Sequence, residues 1–335
     1  MLELRREELT ARIRDPTRNF EETELHFEIR TDPLSGHTSR LLPGTKLLPE
    51  STFDLAELAK ETRRACPFCG ERIESATPKL PEDLAPRGRI HIGEAVCFPN
   101  LLPYSEYSSV SVYSPDRHFL KLREISPRLI ADNLSAQIEF ARVVMRHDPG
   151  ARWVSINANY LPPSGSSVFH PHLQGSVNRS PTTMQRLLVA AGADRYRGYL
   201  DAERASGERL VADTGNVTWL ASFAPIGPAE MRAFVPAVAS PVELDSAVVE
   251  ELSAGIAAVL ACYADLGFES FNLAVYGAPP SAKGYPLNLR MICRSNLGTP
   301  YRSDATWLER LHWEGATDLV PEEVAVCARP HFESR

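Results

Sequence analysis

The chain has 335 residues, of which 43% are hydrophobic and 24% charged, and its formal net charge is -7. This composition is ordinary for a globular protein, and the length suggests two domains or one large one. The acidic balance argues against a dedicated nucleic-acid binder, which usually carries a basic excess. The N-terminus lacks the apolar core of a signal peptide, and no stretch approaches about 18 uninterrupted apolar residues. We therefore expect a cytoplasmic protein that does not cross a membrane.

Hydrophobic periodicity predicts an α+β fold. Strand-like runs fall near residues 24–30, 90–98, 108–114, 152–159, 171–178, 217–223, 231–238, 271–276 and 287–293. Ser126 and Pro127 predict the start of a helix that ends near Asp148, because serine is a favoured N-cap and proline suits the first helical position. Residues 182–205 form a second predicted helix, and the capping-box pattern Ser240–Glu243 predicts the start of a third.

The order of these elements predicts two related halves. Strands, a helix, and then further strands occur once before residue 180 and once again after it. We place the boundary between residues 1–180 and 181–335. Each half is expected to be a mainly antiparallel sheet flanked by helices.

The most informative segment is 165–174, which contains two histidines separated by a proline. In an extended strand alternate side chains share a face, so His170, His172 and Gln174 are expected to point the same way. A neutral imidazole is a competent nucleophile near neutral pH. The small residues Gly165–Ser167 add backbone freedom and hydroxyl donors suited to phosphate oxygens. A covalent phosphotransfer site is the leading interpretation, and a hydrogen-bonded pair of strand histidines is the structural alternative.

Cys66 and Cys69 are separated by two residues. This gap lets two thiolates bind one tetrahedral metal from a tight turn, although a lone Cys-x-x-Cys could equally be redox-active or merely structural. The remaining cysteines lie singly in apolar runs and are expected to be buried thiols: Cys97, Cys262, Cys293 and Cys327.

Four segments, in one order, resemble the galactose-1-phosphate uridylyltransferase family, a transferase branch of the histidine-triad superfamily. Gly165–Gln174 is similar to the family's active-site signature G-x-S-x-x-H-P-H-x-Q. Arg30–Gly36 resembles its R-x-D-P-L-T-G segment, Cys66–Cys69 its zinc-binding C-x-x-C, and Ser114–His118 its S-P-x-H element. The resemblance covers roughly residues 25 to 180. It implies that both halves are histidine-triad-like and that the first half is catalytic.

The resemblance also implies one structural zinc ion. Its ligands would be Cys66, Cys69, His118 and His170, a closed set with no open position for a catalytic water. The family's S-P-x-H element has one residue between its proline and its histidine, whereas this chain has two. Arg117 is therefore one residue more than the family spacing before His118.

By the same resemblance, His172 is the nucleophile that takes a nucleoside monophosphate from a nucleoside diphosphate compound. Its other ring nitrogen would donate to the carbonyl of His170, which fixes the tautomer. Gln174 and Ser167 would hold phosphate oxygens. Since the hydrolase branch has a third histidine where Gln174 stands, and an amide cannot exchange protons, glutamine favours transfer to a phosphate. Further candidate substrate contacts are Asn100, Asn159, Gly165, Ser166, Arg30 and Arg40.

The second half departs from the family pattern. Some members carry a histidine pair on a late strand, whereas residues 287–290 contain none. We therefore expect no second metal site. Galactose 1-phosphate cannot be assumed as the acceptor.

Three functions follow from these observations. The leading one is a nucleotidyltransferase that moves UMP or AMP from a nucleotide sugar to a sugar 1-phosphate. A nucleotide phosphorylase acting on ADP-glucose or a dinucleoside polyphosphate is the second, and a non-catalytic nucleotide-binding protein is the third. The expected partners are a small nucleotide sugar and a phosphorylated acceptor, without nucleic acid or membrane, and a homodimer is compatible with them.

Overall fold

The computed structural model describes residues 2–44, 53–298 and 303–333. Within these ranges the fold is a mixture of strands and helices, as expected. The strands are β1 (Arg6–Asp15), β2 (Glu21–Thr31), β3 (Thr38–Leu41), β4 (Ile90–Ile92), β5 (Ala95–Pro99), β6 (Tyr107–Val112), β7 (Trp153–Tyr160), β8 (His172–Asn178), β9 (Leu210–Asp213), β10 (Thr218–Ala221), β11 (Met231–Val235), β12 (Ser270–Tyr276), β13 (Leu287–Arg294) and β14 (Gly315–Thr317). The helices are α1 (Leu55–Arg63), α2 (Arg72–Ala76), α3 (Pro127–His147), α4 (Thr183–Ala190), α5 (Ala193–Ser206), α6 (Ser246–Asp265) and α7 (Pro321–Glu333).

Ten strands form one antiparallel sheet in the order β4-β5-β6-β8-β7-β12-β13-β11-β10-β9. β7 and β12 pair at its centre, with Asn159 opposite Asn272. From that centre outward, the strands on one side follow the order β7-β8-β6-β5-β4, and those on the other follow the order β12-β13-β11-β10-β9. The two orders correspond position by position. In each set three strands, a long helix and two strands follow in chain order. The antiparallel sheet expected for each half is present, and the two are joined into one; the boundary at residues 180–181 falls between β8 and α4 and stays a prediction.

The main core lies where α3 and α6 pack against one face of this sheet. α3 begins as predicted, because the Ser126 hydroxyl accepts a hydrogen bond from the Leu129 amide and Pro127 occupies the first turn. It ends at His147, one residue before the predicted Asp148. This helix packs against β8, the strand that begins at His172.

Two helix predictions require correction. Ser240–Glu243 does not open the third helix: Pro241–Glu243 forms a short 3-10 turn in which the Glu243 carboxylate accepts from the backbone amide of Ser240. α6 begins only at Ser246, with Asp245 as its N-cap. Residues 182–205 form two helices rather than one, because Gly192 adopts a positive φ of 77° between α4 and α5.

α6 is long and apolar enough to cross a membrane by length and composition alone. It packs against α3 and α7, however, and most of it is buried in the fold. It is the core helix of the second half.

The remaining strands form a smaller sheet in the order β1-β2-β3-β14. The loop after β2 attaches this sheet to the second half through Asp32. One oxygen of that carboxylate accepts from the backbone amides of Leu34 and Ser35, and the other lies 2.9 Å from Nη1 of Arg232. Burial by itself raises the pKa of the Asp32 carboxyl, but the neighbouring Arg232 and Arg290 outweigh it and hold that pKa well below its usual range.

Candidate active site and metal centre

The segment predicted to be catalytic leads into β8, which begins at His172. His172 and Gln174 lie on one face of this strand, and Leu173 and Val177 are buried on the other. The face that carries Leu173 and Val177 packs against α3, which is why the strand alternates polar and apolar residues. The predicted common orientation of His172 and Gln174 is therefore present.

The ring of His172 has a defined orientation. Its Nδ1 lies 2.9 Å from the backbone carbonyl oxygen of His170, so Nδ1 carries the hydrogen and donates. The side-chain nitrogen of Gln174 lies 3.4 Å from Nε2 of His172. Burial lowers the pKa of His172, which favours the neutral ring. Nε2 then has a free lone pair beside an amide donor.

Behind this ring lies a buried group of two cysteines and two histidines. The ligand atoms of Cys66, Cys69, His118 and His170 all lie within 4.8 Å of one another. Cys69 Sγ is 3.2 Å from Nδ1 of His118 and 3.4 Å from Nδ1 of His170, and Cys66 Sγ is 3.7 Å from the latter. Tetrahedral zinc with sulfur and nitrogen ligands needs separations of about 3.5 Å. The four residues fit one metal ion of this kind.

Outer hydrogen bonds fix both histidines of this group. Nε2 of His170 lies 2.8 Å from the carbonyl oxygen of Ser114, and Nε2 of His118 lies 2.9 Å from the hydroxyl of Thr62. Each ring therefore presents Nδ1, without a hydrogen, towards the cysteines. Burial lowers the pKa of His170 to about 3, and burial together with the neighbouring thiol raises the pKa of Cys69 to about 11. Neutral rings are the form that binds metal, and a cation would offset the cost of ionising the thiols.

The additional residue Arg117 does not displace His118. The chain turns at Ser114, whose carbonyl accepts from the Arg117 amide, and the Arg117 side chain points outward to an exposed ion pair with Glu94. On the other side of the group, the amide of Gly70 donates to the carbonyl of Pro115. This bond ties the cysteine turn to the loop that carries His118.

Phe68, between the two cysteines, contacts both His170 of the buried Cys/His group and His172, the predicted nucleophile, and sequence reasoning missed this contact. Its ring lies edge-on to His172 at 5.7 Å and to His170 at 6.0 Å, measured between ring centroids. Phe68 belongs, with Phe98, Val110 and neighbouring residues, to an apolar cluster that is separate from the main core. The only signal in the sequence was its position inside Cys-x-x-Cys.

The predicted phosphate loop precedes β8. Gly165 has a φ of 94°, which L side chains rarely adopt, and it ends the short 3-10 turn Pro162–Ser164. The Ser166 hydroxyl accepts from the Val168 amide and donates to its carbonyl, so it shapes the loop. Ser167 is exposed, and within the described residues its side chain makes no hydrogen bond. Of the two serines, the second is the one free to contact a phosphate.

Asn159 is held by residues of the second half, which sequence reasoning also missed. Across the central strand pair, the amide of Asn272 donates to Asn159 Oδ1 at 2.6 Å and to the carbonyl of Ser164 at 3.0 Å. Arg294 donates to Asn272 Oδ1 at 2.6 Å and is itself paired with Asp304. With its oxygen occupied, Asn159 presents its amide N–H groups. A contact across 113 residues of sequence left no local signal.

The other predicted contacts have different surroundings. Asn100 uses its side-chain oxygen to accept from the Leu102 amide, which closes the loop after β5. Arg40 pairs with Glu314 at 2.9 Å. Arg30 is buried and pairs with Glu28 at 2.7 Å and with Glu322 at 2.9 Å. The roles of these three residues in substrate binding stay predictions, and the existing ion pairs of Arg30 would compete with a phosphate.

A groove of about 430 Å³ extends from Gln174 along β6, β8 and β7. Its lining is polar and uncharged: Tyr104, Ser108, Ser155, Asn157, Ser176 and Asn178. Within it Asn178 donates to the Ser176 hydroxyl at 2.6 Å and Asn157 to the Ser155 hydroxyl at 3.1 Å. Such a lining can form hydrogen bonds with a ligand but has no charged side chain to balance a charge on it.

In the second half, β13 places Asn288 and Arg290 on the same face as His172 and Gln174. Arg290 is buried and lies 3.5 Å from Asp32 and 3.3 Å from Glu230, measured between charged atoms. Asn288 Oδ1 accepts from Arg232 at 3.2 Å. These side chains belong to a buried ion-pair network.

The chain is similar to known proteins in sequence and in structure. An uncharacterized protein from Archaeoglobus fulgidus is 32% identical over 307 residues, which is 89% of this chain and 90% of the relative. No protein-family model matches the chain. An ADP-glucose phosphorylase from Arabidopsis thaliana, solved with bound ADP-glucose, superposes with a TM-score of 0.67 at 17% identity over 90% of this chain and 98% of that one. A uridylyltransferase structure gives 0.63 at 20% identity over 91% and 98%. The fold expected from the resemblance is confirmed.

Proposed function

Since the chain has the galactose-1-phosphate uridylyltransferase fold and belongs to one family with the Archaeoglobus fulgidus protein, we propose that it is a nucleotidyltransferase. It moves UMP or AMP from a nucleotide sugar to a sugar 1-phosphate through a covalent intermediate on His172. The observation that carries this proposal is the orientation of that ring, with Nδ1 donating to the His170 carbonyl and Nε2 free beside Gln174.

In the first step Nε2 of His172 attacks the α-phosphorus of the donor. A phosphorus–nitrogen bond forms, and the bond to the bridging oxygen breaks. The sugar 1-phosphate leaves with that electron pair and needs no proton, which agrees with an amide rather than an acid at Gln174. The ring keeps its Nδ1 hydrogen and becomes cationic, and the carbonyl of His170 stabilises the charge.

In the second step a phosphate oxygen of the acceptor attacks the same phosphorus and expels Nε2 of His172. The nonbridging oxygens gain negative charge in both transition states, so nearby donors contribute most there. We assign three donors to these oxygens: the amide of Gln174, the hydroxyl of Ser167 and the amide of Asn159. Asn272 keeps the last of these in position.

We assign the metal position to zinc, bound by Cys66, Cys69, His118 and His170. These are the ligand types of a closed structural site, which supplies rigidity and no reactive water. By holding the ring of His170, the site holds the carbonyl that orients His172. Thiolate ligands persist in a reducing compartment, which supports the cytoplasm as the location.

The uncharged groove beside Gln174 supports a nucleotide sugar as donor. Hydroxyl and amide groups along β7 and β8 suit a polyhydroxylated ring, whereas a longer polyphosphate would call for cations. The adenine or uridine choice depends on the base contact that we assign to Asn100.

A phosphorylase that uses inorganic phosphate as acceptor is the second candidate. Some family members carry a histidine pair on the strand that corresponds to β13. In this chain Asn288 and Arg290 stand there instead, and both are engaged in the buried network with Arg232 and Asp32. In that reaction phosphate attacks the nucleotidyl-His172 intermediate and yields a nucleoside diphosphate.

Intact-protein mass spectrometry tests both candidates. The chain is incubated briefly with UDP-glucose, UDP-galactose, ADP-glucose, ATP or diadenosine tetraphosphate, and His172→Ala serves as control. We expect a UMP or AMP adduct on the native chain alone. Chasing the adduct with glucose 1-phosphate or with inorganic phosphate then distinguishes transferase from phosphorylase. Absence of an adduct with every donor, despite measurable binding, would favour a non-catalytic nucleotide-binding protein.

A further inference from the structure

Two cysteines outside the metal group face each other across the packed helices α6 and α7. The sulfur atoms of Cys262 and Cys327 lie 3.1 Å apart, although 65 positions of sequence separate them. The sequence predicted only single buried thiols at both positions. A disulfide bond brings its two sulfurs to about 2.05 Å, so a further approach of roughly 1 Å would join this pair. Side-chain rotation can supply a displacement of that size.

A second contact, one helical turn further along, holds the two helices in this register. Nε2 of His331 lies 2.7 Å from a carboxylate oxygen of Asp265, which also pairs with Arg123. These two residues follow the two cysteines by four and three positions, respectively. Residues three and four apart are neighbours on a helix surface, so both contacts lie on the same faces of α6 and α7. The orientation of the two sulfurs thus follows from the packing of the helices.

The two thiols differ in exposure. Cys262 is buried, and burial together with the contact to the second thiol raises its pKa, so it stays protonated near neutral pH. Cys327 is partly exposed, and its neighbour in sequence, Val326, is 61% exposed. A small oxidant in solution therefore reaches Cys327 first, and Cys262 is in contact to react second. Because a thiol of high pKa is a poor leaving group, the resulting bond would be slow to reduce.

α7 fastens the C-terminal part of the chain to both sheets. In its first turn Glu322 lies 2.9 Å from Arg30 of β2 and 2.6 Å from Arg209. Towards its end Arg329 donates a hydrogen bond to the carbonyl oxygen of Leu210 at 2.9 Å. These contacts are polar and noncovalent. A covalent bond from the middle of α7 to the core helix α6 would keep the helix in place when they open.

The same bond would close a loop that contains the strand supporting the candidate site. The residues between Cys262 and Cys327 include β12, which carries Asn272, and β13. A cross-link between residues far apart in sequence lowers the conformational entropy of the unfolded chain. The stabilisation would therefore act on the second half as a whole and not on α7 alone.

We propose that Cys262 and Cys327 form a site of reversible thiol oxidation, at which a small-molecule disulfide converts them into an intrachain disulfide bond that fastens α7 to α6. The Cys327 thiolate attacks one sulfur of the small disulfide and expels a first thiolate. Cys262, after losing its proton to water, attacks the sulfur of Cys327 and expels the second. Two protein thiols are oxidised and the small disulfide is reduced to two thiols, so the reaction needs no other reactant.

The state of the pair would follow the surroundings of the protein. In a reducing compartment the two thiols stay reduced, and they join when the ratio of small disulfide to small thiol rises. The site lies in the second half, and it does not depend on the reaction proposed for His172.

The first test counts thiols by intact-protein mass spectrometry. The full chain is incubated with glutathione disulfide and then denatured with a chelator and iodoacetamide. The reduced chain should take up six alkyl groups, one for each cysteine, and the oxidised chain two fewer. Because Cys262, Cys293 and Cys327 fall in separate tryptic peptides, a nonreducing digest identifies the joined pair. The incubation is repeated in urea below the unfolding transition, since access to Cys327 limits the rate.

The second test is the melting temperature with and without oxidation. Cys327→Ser removes the partly exposed sulfur, and Cys293→Ala is the matched control, because it removes a buried thiol of β13 that is outside the contact. Oxidation should raise the melting temperature of the wild type and of Cys293→Ala by about 5 °C or more, and dithiothreitol should reverse the rise. Cys327→Ser should melt at the same temperature under both conditions.

The outcomes separate the proposal from a mere contact of two thiols. A bond between Cys262 and Cys327, with a rise in melting temperature that Cys327→Ser lacks, would support it. Retention of all six thiols both with and without urea, or a bond to Cys293 instead, would overturn it. A joined chain that melts no higher than the reduced one, or an equal rise in Cys327→Ser, would also overturn it.

Discussion

Nδ1 of His172 lies 2.9 Å from the backbone carbonyl oxygen of His170, whose own ring faces the cysteine pair. One residue thus belongs to the metal group through its side chain and orients the proposed nucleophile through its backbone. His170 lies in the bend that precedes β8, so its carbonyl oxygen is within reach of the ring of His172 at the first position of that strand.

Replacing His172 with Asn should abolish adduct formation and lower turnover by at least about a thousandfold. The asparagine amide can still donate to the His170 carbonyl, so the fold should be retained. Stopped-flow or quench measurements with the donor that labels the native chain will check this. Full turnover by a folded variant would contradict the covalent mechanism.

Cys66→Ser should lose bound metal and melt at a lower temperature, because three remaining ligands bind a structural ion less tightly. Metal per chain, measured by inductively coupled plasma mass spectrometry, should fall from about one towards zero. Cys327→Ser is a suitable control, since that half-exposed thiol contacts Cys262 and lies outside the group. Unchanged metal content in Cys66→Ser would reject the site.

Asn272→Ala should slow nucleotidylation about tenfold by releasing the side chain of Asn159. Since Asn272 acts through Asn159, the two substitutions should be strongly non-additive: the double variant should be about as slow as Asn159→Ala alone. Asn157→Ala, on the same strand face, should instead combine additively with Asn272→Ala. Additive effects for the first pair would show that the hydrogen bond does not position Asn159.

His37 should make stability depend on pH. Its Nε2 lies 2.9 Å from the Ala224 carbonyl oxygen and its Nδ1 2.6 Å from the Ser35 hydroxyl. Burial lowers the pKa of His37 despite the opposing effect of Asp32, while Arg290 lowers it further and Glu230 raises it. The neutral ring is therefore favoured in the folded chain.

The unfolded state then binds more protons as pH falls below about 6.5, so the free energy of unfolding decreases in that range. Between pH 7.5 and 5.5 the wild type should lose up to about 1 kcal/mol more than His37→Gln. Urea titrations at both pH values measure the difference. Identical losses in the two proteins would contradict the prediction.

The sequence predicted those features whose cause is local. Ser126 and Pro127 define the start of α3 because capping involves adjacent residues, and the alternation in β8 follows from its buried and exposed faces. β1 escaped prediction because its charged residues, Arg6 to Asp15, do not read as a buried strand. The predicted start of α6 was wrong because a capping box at Ser240 also suits a single 3-10 turn.

The residues of the candidate site fall into the same two groups: those that local sequence predicted and those that depend on contacts distant in sequence. Contiguous motifs predicted Cys66, Cys69, His118 and His170, and these four side chains do meet. The support of Asn159 by Asn272 depends on which strands become neighbours, and no local pattern records that choice. Arg30 looked like a phosphate ligand in isolation, yet partners distant in sequence pair with it.

The central pairing of β7 with β12 also constrains how the chain is made. When a ribosome has synthesised the first half, β7 has one neighbour, β8, and its other edge is exposed until residues 270–276 emerge. Pairing across more than a hundred residues forms late, because a long loop must close first. A nascent or truncated chain that stops before β12 would therefore present an unpaired, partly apolar edge and be prone to aggregate. β12, the strand that carries Asn272, is therefore also the strand that covers the free edge of β7 and prevents self-association of the first half during synthesis.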